Sequence, residues 1–254
     1  MAHGKHKEQG LRAGMDTFGQ DEPQRSVPAF NVPQVVVVLA GVMIVVHVFR
    51  AFLSARMDWW VTLVFSFIPA RYDDVVRNIP GGFGADLWSF VTHQFLHGDW
   101  MHLTLNLAFM VAFGSVLARR FGVTRFLLFS GLSGVCGALA FLASNWGAFV
   151  PMIGASGAIS GQMAGAVRLL FARPEPFFVA MQKDPSEVNP LSIDEIWHSK
   201  RALLTIGVWI FMIVATGIGD FFAPQGASVA WEAHLGGFLF GLFAFDHFDP
   251  KEWK

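Results

Sequence analysis

The chain has 254 residues, of which 54% are hydrophobic and only 15% are charged, whereas about 25% of the residues in a soluble domain are charged. This balance excludes an ordinary soluble fold and indicates an integral membrane protein. The formal net charge of -1 gives no basis for nucleic-acid binding. A single cysteine, Cys136, excludes an intrachain disulfide and a multi-cysteine metal site.

A polar tail at residues 1–33 precedes the first apolar run, which begins near Pro33. A secretory signal instead places a short apolar stretch directly after its basic start. We therefore expect the tail to be retained, disordered and cytosolic.

Six apolar segments are long enough to cross a membrane, since a helix needs about 20 mostly apolar residues to span a hydrocarbon core of about 30 Å. Their predicted bounds are 34–53, 101–118, 124–144, 152–172, 202–222 and 228–246. The predicted fold class is an all-α membrane protein, a six-helix bundle at 34–246 followed by a cytosolic tail at 247–254.

The two longest connections between predicted spans differ in composition and in their predicted location. The segment 54–100 is rich in Trp, Phe and Pro, and its stretch DWWVTLVFSFIPARY is too short to cross the membrane. Because Trp favours the membrane–water interface, we expect this first loop to lie there. The connection 174–200 is predicted to be cytosolic, and the sequence assigns it no function.

Lys and Arg orient the chain, because cytosolic loops carry an excess of them. Fourteen of the 18 lie in the N-terminal tail, the 119–125 turn, the 168–201 region and the C-terminal tail. Six spans with both termini in the cytosol satisfy this distribution. Short loops and the lack of a targeting sequence further favour a multi-pass protein of a bacterial inner membrane, with an organelle membrane as the alternative.

In this orientation the second, fourth and sixth spans all enter from the outer face. They open with the polar stretches HGDWMHLTLNL, GASGAISG and WEAHLGGFLFG. At a rise of 1.5 Å per residue, Ser156, His234 and the pair His102 and Asn106 would each lie roughly 5–15 Å below the outer surface. Three polar groups that are distant in the sequence are thus predicted to share one depth.

Ser156 and His234 together predict a nucleophile and its base. Alone, His234 is consistent with an interhelical hydrogen bond, and Ser156 with the small residues that line helix contacts in membranes. A serine hydroxyl becomes a nucleophile when an adjacent base takes its proton, and histidine is the usual base. His102 and Asn106, on one helical face, are candidate donors to a developing oxyanion.

Glycines mark the fourth and sixth spans. They are Gly157, Gly161 and Gly165 at four-residue spacing, and Gly236 or Gly237 with Gly241. Such stripes let helices approach closely, which would bring Ser156 within reach of His234. Gly154 can adopt backbone angles that other residues avoid, and is predicted to open the turn before the serine.

A second serine, Ser133 in GLSG, has a similar sequence frame. The third span starts from the cytosolic side, so Ser133 is predicted to lie near the middle of the bilayer, and depth favours Ser156. No third acid is evident, because Glu232 faces away from His234 and Asp220 lies at the end of the fifth span. The sequence therefore predicts a Ser–His dyad.

These motifs, in this order, resemble those of the rhomboid family of intramembrane serine proteases. The matching pieces are HLTLN, GASGAISG, and AHLGG with Gly241, and the likeness covers roughly residues 35–246, including FVTHQFLHGDWMH before the second span. The resemblance implies a six-helix bundle with a water-filled cavity that opens outward. It also implies cleavage of the transmembrane helices of other proteins at or near the outer membrane boundary, without metal or ATP.

The resemblance also implies the role of each site residue. Ser156 would be the nucleophile and His234 the general base, with His102, Asn106 and the backbone N–H of Ser156 lining the oxyanion hole. His97 matches a further histidine near the site. Gly154, Gly157, Gly237 and Gly241 would support the site as parts of the matching motifs.

The first loop departs from the family pattern at Trp88-Ser89, where many members have Trp-Arg. This departure puts the usual anchoring of the loop in doubt, but not the catalysis.

Three other functions are compatible with parts of the sequence. His93, His97 and His102 are spaced for a metal-dependent hydrolase, although HQFLH lacks the glutamate that would activate water. A catalytically inactive rhomboid-like protein would bind membrane helices, but such relatives typically lack the serine or the histidine. A transporter is disfavoured because no predicted span pairs buried acids with bases.

Overall fold

The computed structural model of the protein describes residues 32–73, 79–222 and 230–250. The N-terminal tail apart from its last two residues, and residues 251–254 of the C-terminal tail, lie outside the described residues. Within those ranges the chain is α-helical. The helices are α1 Gln34–Ala51, α2 Ala55–Phe65, α3 Gly82–Thr92, α4 Trp100–Phe109, α5 Ser115–Ser144, α6 Ser156–Leu170, α7 Phe177–Gln182, α8 Ile193–His198, α9 Lys200–Phe222 and α10 Trp231–Phe248.

Two helical stretches in the described residues are long and apolar enough to cross a membrane, Gln34–Ala51 and Trp100–Ser144. The second stretch is 45 residues long and joins α4 to α5 through a π-helical segment at Met110–Gly114. Inside it Gly122 has non-helical angles (φ 72°, ψ 173°), in a region of backbone space that glycine enters without strain. Gly122 therefore lies at the junction between the second and third predicted spans.

Helix α6 lies at the centre of the bundle and packs against α5 and α10. Every residue from Gly157 to Leu170 is buried. The helix begins four residues later than the predicted start of the fourth span at 152. The reason is that Met152 pairs with Phe67 of the first loop through two backbone hydrogen bonds of 2.8 and 3.1 Å, which hold this part of the chain extended.

Glycines bring α10 into direct backbone contact with α6. A methyl group added at Gly237 would overlap the carbonyl oxygen of Gly157, and one at Gly241 would overlap that of Gly161. Only a residue without a Cβ fits at either place. The two glycines therefore set the separation of the two helices that carry the candidate dyad.

Hydrogen bonds within the first loop hold its parts together, with serine at position 89 where the resemblance predicts arginine. The Arg71 guanidinium donates a hydrogen bond of 2.7 Å to the carbonyl of Pro80 and a second one to a carbonyl of α2. The indole of Trp88 donates to the carbonyl of Val64 at 2.9 Å. Arg71 and Trp88 thus tie Pro80 and α3 to α2 within the first loop.

The 174–200 connection is folded against the end of the bundle opposite Ser156. Arg120, fully buried, donates to both carboxylate oxygens of Asp249 at 2.5 and 2.9 Å and to the carbonyl of Pro185 at 2.8 Å. Arg168 makes a similar two-point contact with Asp246 at 2.9 and 3.0 Å. Arg120 therefore ties this connection to α5 and to Asp249 after α10, while Arg168 ties it to α6 through the carbonyl of Leu191 at 2.7 Å.

Candidate active site

Ser156 is the first residue of α6, and Gly154 shapes the turn that presents it. Gly154 has a φ of +117°, and its N–H donates to the carbonyl of His93 at 2.9 Å. A Cβ at this position would lie 2.7 Å from Nε2 of His102. Glycine therefore allows the turn, and leaves space between the Ser156 hydroxyl and the His102 ring.

His234 lies in the first turn of α10 and meets Ser156 directly. Its Nε2 atom is 2.8 Å from the Oγ atom of Ser156, although 78 residues separate the two in the sequence. With the imidazole proton on Nδ1, Nε2 accepts the hydrogen bond from the serine hydroxyl. Ser156 itself is only partly buried.

His102 and Asn106 are four residues apart and share one face of α4. The side-chain amide of Asn106, only 4% exposed, donates a hydrogen bond of 2.8 Å to the carbonyl of His102 one turn earlier. Asp99 begins the helix by accepting the backbone N–H of His102 at 2.8 Å. The structure thus brings the His102 ring beside Gly154, and fixes Asn106 through His102.

His97 packs against the ring of His102. It is 1% exposed, and its ring packs edge-on against that of His102 with centroids 5.1 Å apart. Its carbonyl accepts a hydrogen bond of 2.9 Å from Arg50 of α1. Sequence reasoning missed Arg50, whose only signal was a charged residue at the end of an apolar span.

Ser133, the alternative candidate nucleophile, makes a hydrogen bond within its own helix. Ser133 is fully buried and donates to the carbonyl of Phe129 in its own helix at 2.8 Å. Glu232 accepts a hydrogen bond of 3.3 Å from the amide of Asn145. Among the described residues, Ser156 is therefore the serine whose hydroxyl is hydrogen-bonded to a histidine ring.

The histidines before α4 do not converge on one point. His93 directs Nδ1 to the carbonyl of Ser89 at 2.8 Å. In the part of the chain that the structure describes, no three His, Cys, Asp or Glu side chains are grouped closely enough to hold a metal ion.

Comparison with known proteins gives one family and several distant relatives. A model of the Rhomboid domain matches residues 84–246, a range that contains every candidate site residue. Rhomboid-like protease 3 of Toxoplasma gondii is 27% identical over 157 residues, or 61% of this chain and 49% of that protein. Rhomboid protease GluP of Bacillus subtilis is 28% identical over 158 residues, or 62% of this chain and 25% of that protein.

Rhomboid protease GlpG of Yersinia pseudotuberculosis is 26% identical over 157 residues, or 61% of this chain and 46% of that protein. The chain thus spans half or less of the length of these three relatives.

Proposed function

Because the chain belongs to the rhomboid family, and is therefore a multi-pass integral membrane protein, we propose that it is an intramembrane serine endopeptidase. It cleaves transmembrane helices of other membrane proteins near the outer boundary of the bilayer. The observation that carries the proposal is the 2.8 Å contact between Oγ of Ser156 and Nε2 of His234. That contact supplies an activated hydroxyl inside a helical bundle.

Catalysis runs through an acyl-enzyme. His234 takes the Ser156 proton while Oγ forms a bond to the scissile carbonyl carbon, and the resulting tetrahedral intermediate carries a negative oxygen. The C–N bond then breaks, and His234 gives the proton to the leaving amine. A water molecule, deprotonated by His234, attacks the ester and releases the carboxylic product and the free serine. His234 carries every proton transfer in this scheme, and neither metal nor ATP takes part in it.

The oxyanion is stabilised by donors that are held in place before the reaction. Asn106 carries two amide protons, of which one bonds the His102 carbonyl and the other is available to the substrate oxygen. The His102 ring and the backbone N–H of Ser156 complete the set. Donors fixed in this way need no reorganisation as charge develops, which is why each contributes strongly to the rate.

The membrane arrangement follows from where these groups lie. The N-terminal turns of α4, α6 and α10 all contribute to the site, which supports one common entry side for these three helices. We therefore place the site toward the outer face, with six spans, both termini cytosolic and the first loop in the interface. Aromatic side chains on α2 support that last position, since Trp59 and Trp60 are each about half exposed. The compartment that fits is a bacterial inner membrane.

A substrate helix must open before it reacts. In lipid a helix satisfies its own backbone hydrogen bonds, so its peptide carbonyls are not presented for attack. Only a segment that unwinds beside α6 can place a carbonyl carbon against Ser156. Substrate choice then depends on how easily the outer end of the helix unwinds.

The test is cleavage of a single-span model substrate by the purified protein in proteoliposomes, compared with Ser156→Ala and with strong chelator added. Cleavage that disappears in Ser156→Ala and persists in chelator supports the proposal. If the wild-type protein binds the substrate helix and leaves it intact, the protein is instead a catalytically inactive rhomboid-like binder of membrane helices. Cleavage that chelator abolishes would point to a metal-dependent hydrolase.

A further inference from the structure

Arg50 lies at the C-terminal end of α1 and is almost wholly enclosed. Its side chain is 9% exposed, and it meets two carboxylate oxygens, one hydroxyl and one carbonyl. A guanidinium presents its donors in a rigid fork, so several bonds at once fix its position more firmly than a single ion pair would. Orienting the chain in the membrane does not require so many bonds to one arginine. These contacts therefore point to a further role for Arg50.

Three of these bonds join α1 to α2. Nε and Nη2 of Arg50 donate to the two oxygens of Asp58 at 2.7 and 3.2 Å, and Nη2 also donates to Oγ1 of Thr62 at 3.0 Å. Asp58 and Thr62 are four residues apart and so share one face of α2. This face of the first loop is therefore locked to the end of α1.

The fourth bond leads to the candidate site. Nη1 of Arg50 donates to the carbonyl of His97 at 2.9 Å, and the chain runs from there to Asp99, the N-cap of α4, and on to His102. The His97 ring also packs against the His102 ring. A second contact from α1 lies nearby, where the ring of His47 meets Trp100 with centroids 4.5 Å apart.

We infer that Arg50 is a positioning residue for the oxyanion donors: through the His97 carbonyl it holds the 97–102 segment, and with it the His102 ring, against Ser156. This role rests on the proposed function for its catalytic consequence. Arg50 touches no reacting atom. Its effect on the rate arises because a shift of about 1 Å in a positioned group can cost about 100-fold.

The first measurement needs no turnover. Hydrogen–deuterium exchange is followed in the peptide that contains the backbone N–H of His102, for the wild-type protein, Arg50→Gln, Arg50→Lys and Arg56→Gln. Arg56 is an exposed arginine on α2 and serves as the matched control. We expect exchange at least 10-fold faster in Arg50→Gln, an intermediate rate in Arg50→Lys, and no change in Arg56→Gln. Equal exchange in all four proteins would overturn the inference, whether or not the chain is a protease.

The second measurement is a double-mutant cycle on cleavage of a model substrate. Arg50→Gln should lower kcat about 10-fold with little change in KM. In a His102→Ala background the same substitution should lower kcat less than 2-fold, because residues that act through one another are not additive. Two losses that multiply fully would show that Arg50 acts elsewhere. Absence of cleavage by the wild-type protein would contradict the proposed function. The hydrogen–deuterium exchange result would then decide whether Arg50 positions the 97–102 segment.

Discussion

A methyl group on Gly237 of α10 would overlap the carbonyl oxygen of Gly157 on α6. Gly157 follows Ser156 directly, and Gly237 lies one helical turn after His234. This backbone contact therefore fixes the distance between the serine and the histidine. The glycines set the dyad geometry although they take no part in the proton transfer.

Replacing Gly237 with a larger residue should lower both the stability of the protein and the rate of cleavage. Gly237→Ala forces α10 away from α6, and overpacking of this kind costs about 1–3 kcal/mol of stability. We expect a lower melting temperature and at least about a 10-fold loss of cleavage, since the dyad moves with the helix. Gly131→Ala is the control, because a Cβ there meets no atom within 4 Å. Equal activity in the two variants would contradict this role of the contact.

The candidate oxyanion donors should act on the rate and not on binding. His102→Ala and Asn106→Ala are each expected to lower kcat about 100-fold to 1,000-fold with KM nearly unchanged. Thr104→Ala is a matched control, since Thr104 is exposed on the same helix. Steady-state kinetics on one model substrate would measure all three. A rise in KM alone would assign His102 and Asn106 to substrate binding instead.

Asp99 should make the start of α4 sensitive to acid. The backbone N–H of His102 bonds its carboxylate and holds the pKa of Asp99 below the ordinary value of 3.8. A lowered pKa means that the ionised cap stabilises the fold above that ordinary value, and that this stabilisation is lost as the pH falls through the lowered pKa. Asp99→Asn keeps an acceptor that does not titrate, so its advantage over Asp99→Ala should persist at acid pH.

Melting temperatures of the wild-type protein and both variants at pH 7 and pH 3 measure this effect. At pH 7, Asp99→Ala should melt about 2–4 °C below the wild-type protein. Identical pH profiles for all three proteins would show that the cap contributes nothing.

Arg120 and Asp249 should matter for stability and not for chemistry. Both side chains are completely buried, and removal of one member of such a pair leaves an uncompensated charge at a cost of about 3–5 kcal/mol. We expect Asp249→Asn to lower the melting temperature strongly, while Arg125→Ala, at an exposed position on α5, does not. Cleavage per folded molecule should be unchanged. A loss of kcat without a loss of stability would reveal a link between this end of the bundle and the site.

Unwinding of the substrate should control cleavage. Glycine, proline or polar residues just inside the outer end of a model transmembrane helix should speed its cleavage. A matched substrate with an uninterrupted poly-Leu span should be cut far more slowly, since its carbonyls remain in helical hydrogen bonds. Similar cleavage rates for both substrates would remove this account of specificity.

The proximity of Ser156 and His234 could be predicted because helix periodicity, loop charge and glycine spacing can all be read from short stretches of the sequence. Their catalytic roles remain predictions. The extended stretch before α6 could not be predicted, because its apolar composition does not reveal that Met152 pairs with Phe67 of a distant loop. Arg50 was missed for the same reason, since its contact with His97, 47 positions away, depends on how the intervening chain folds.

The central claim is that Ser156 is an activated nucleophile, and reaction with a fluorophosphonate probe tests it most directly. The purified wild-type protein is compared with Ser156→Ala, His234→Ala and Ser133→Ala. We predict labelling of the wild-type protein and of Ser133→Ala, whose missing hydroxyl only bonds the Phe129 carbonyl, and none of Ser156→Ala or His234→Ala. Undiminished labelling of Ser156→Ala, or no labelling of any form together with an intact transmembrane substrate, would contradict it.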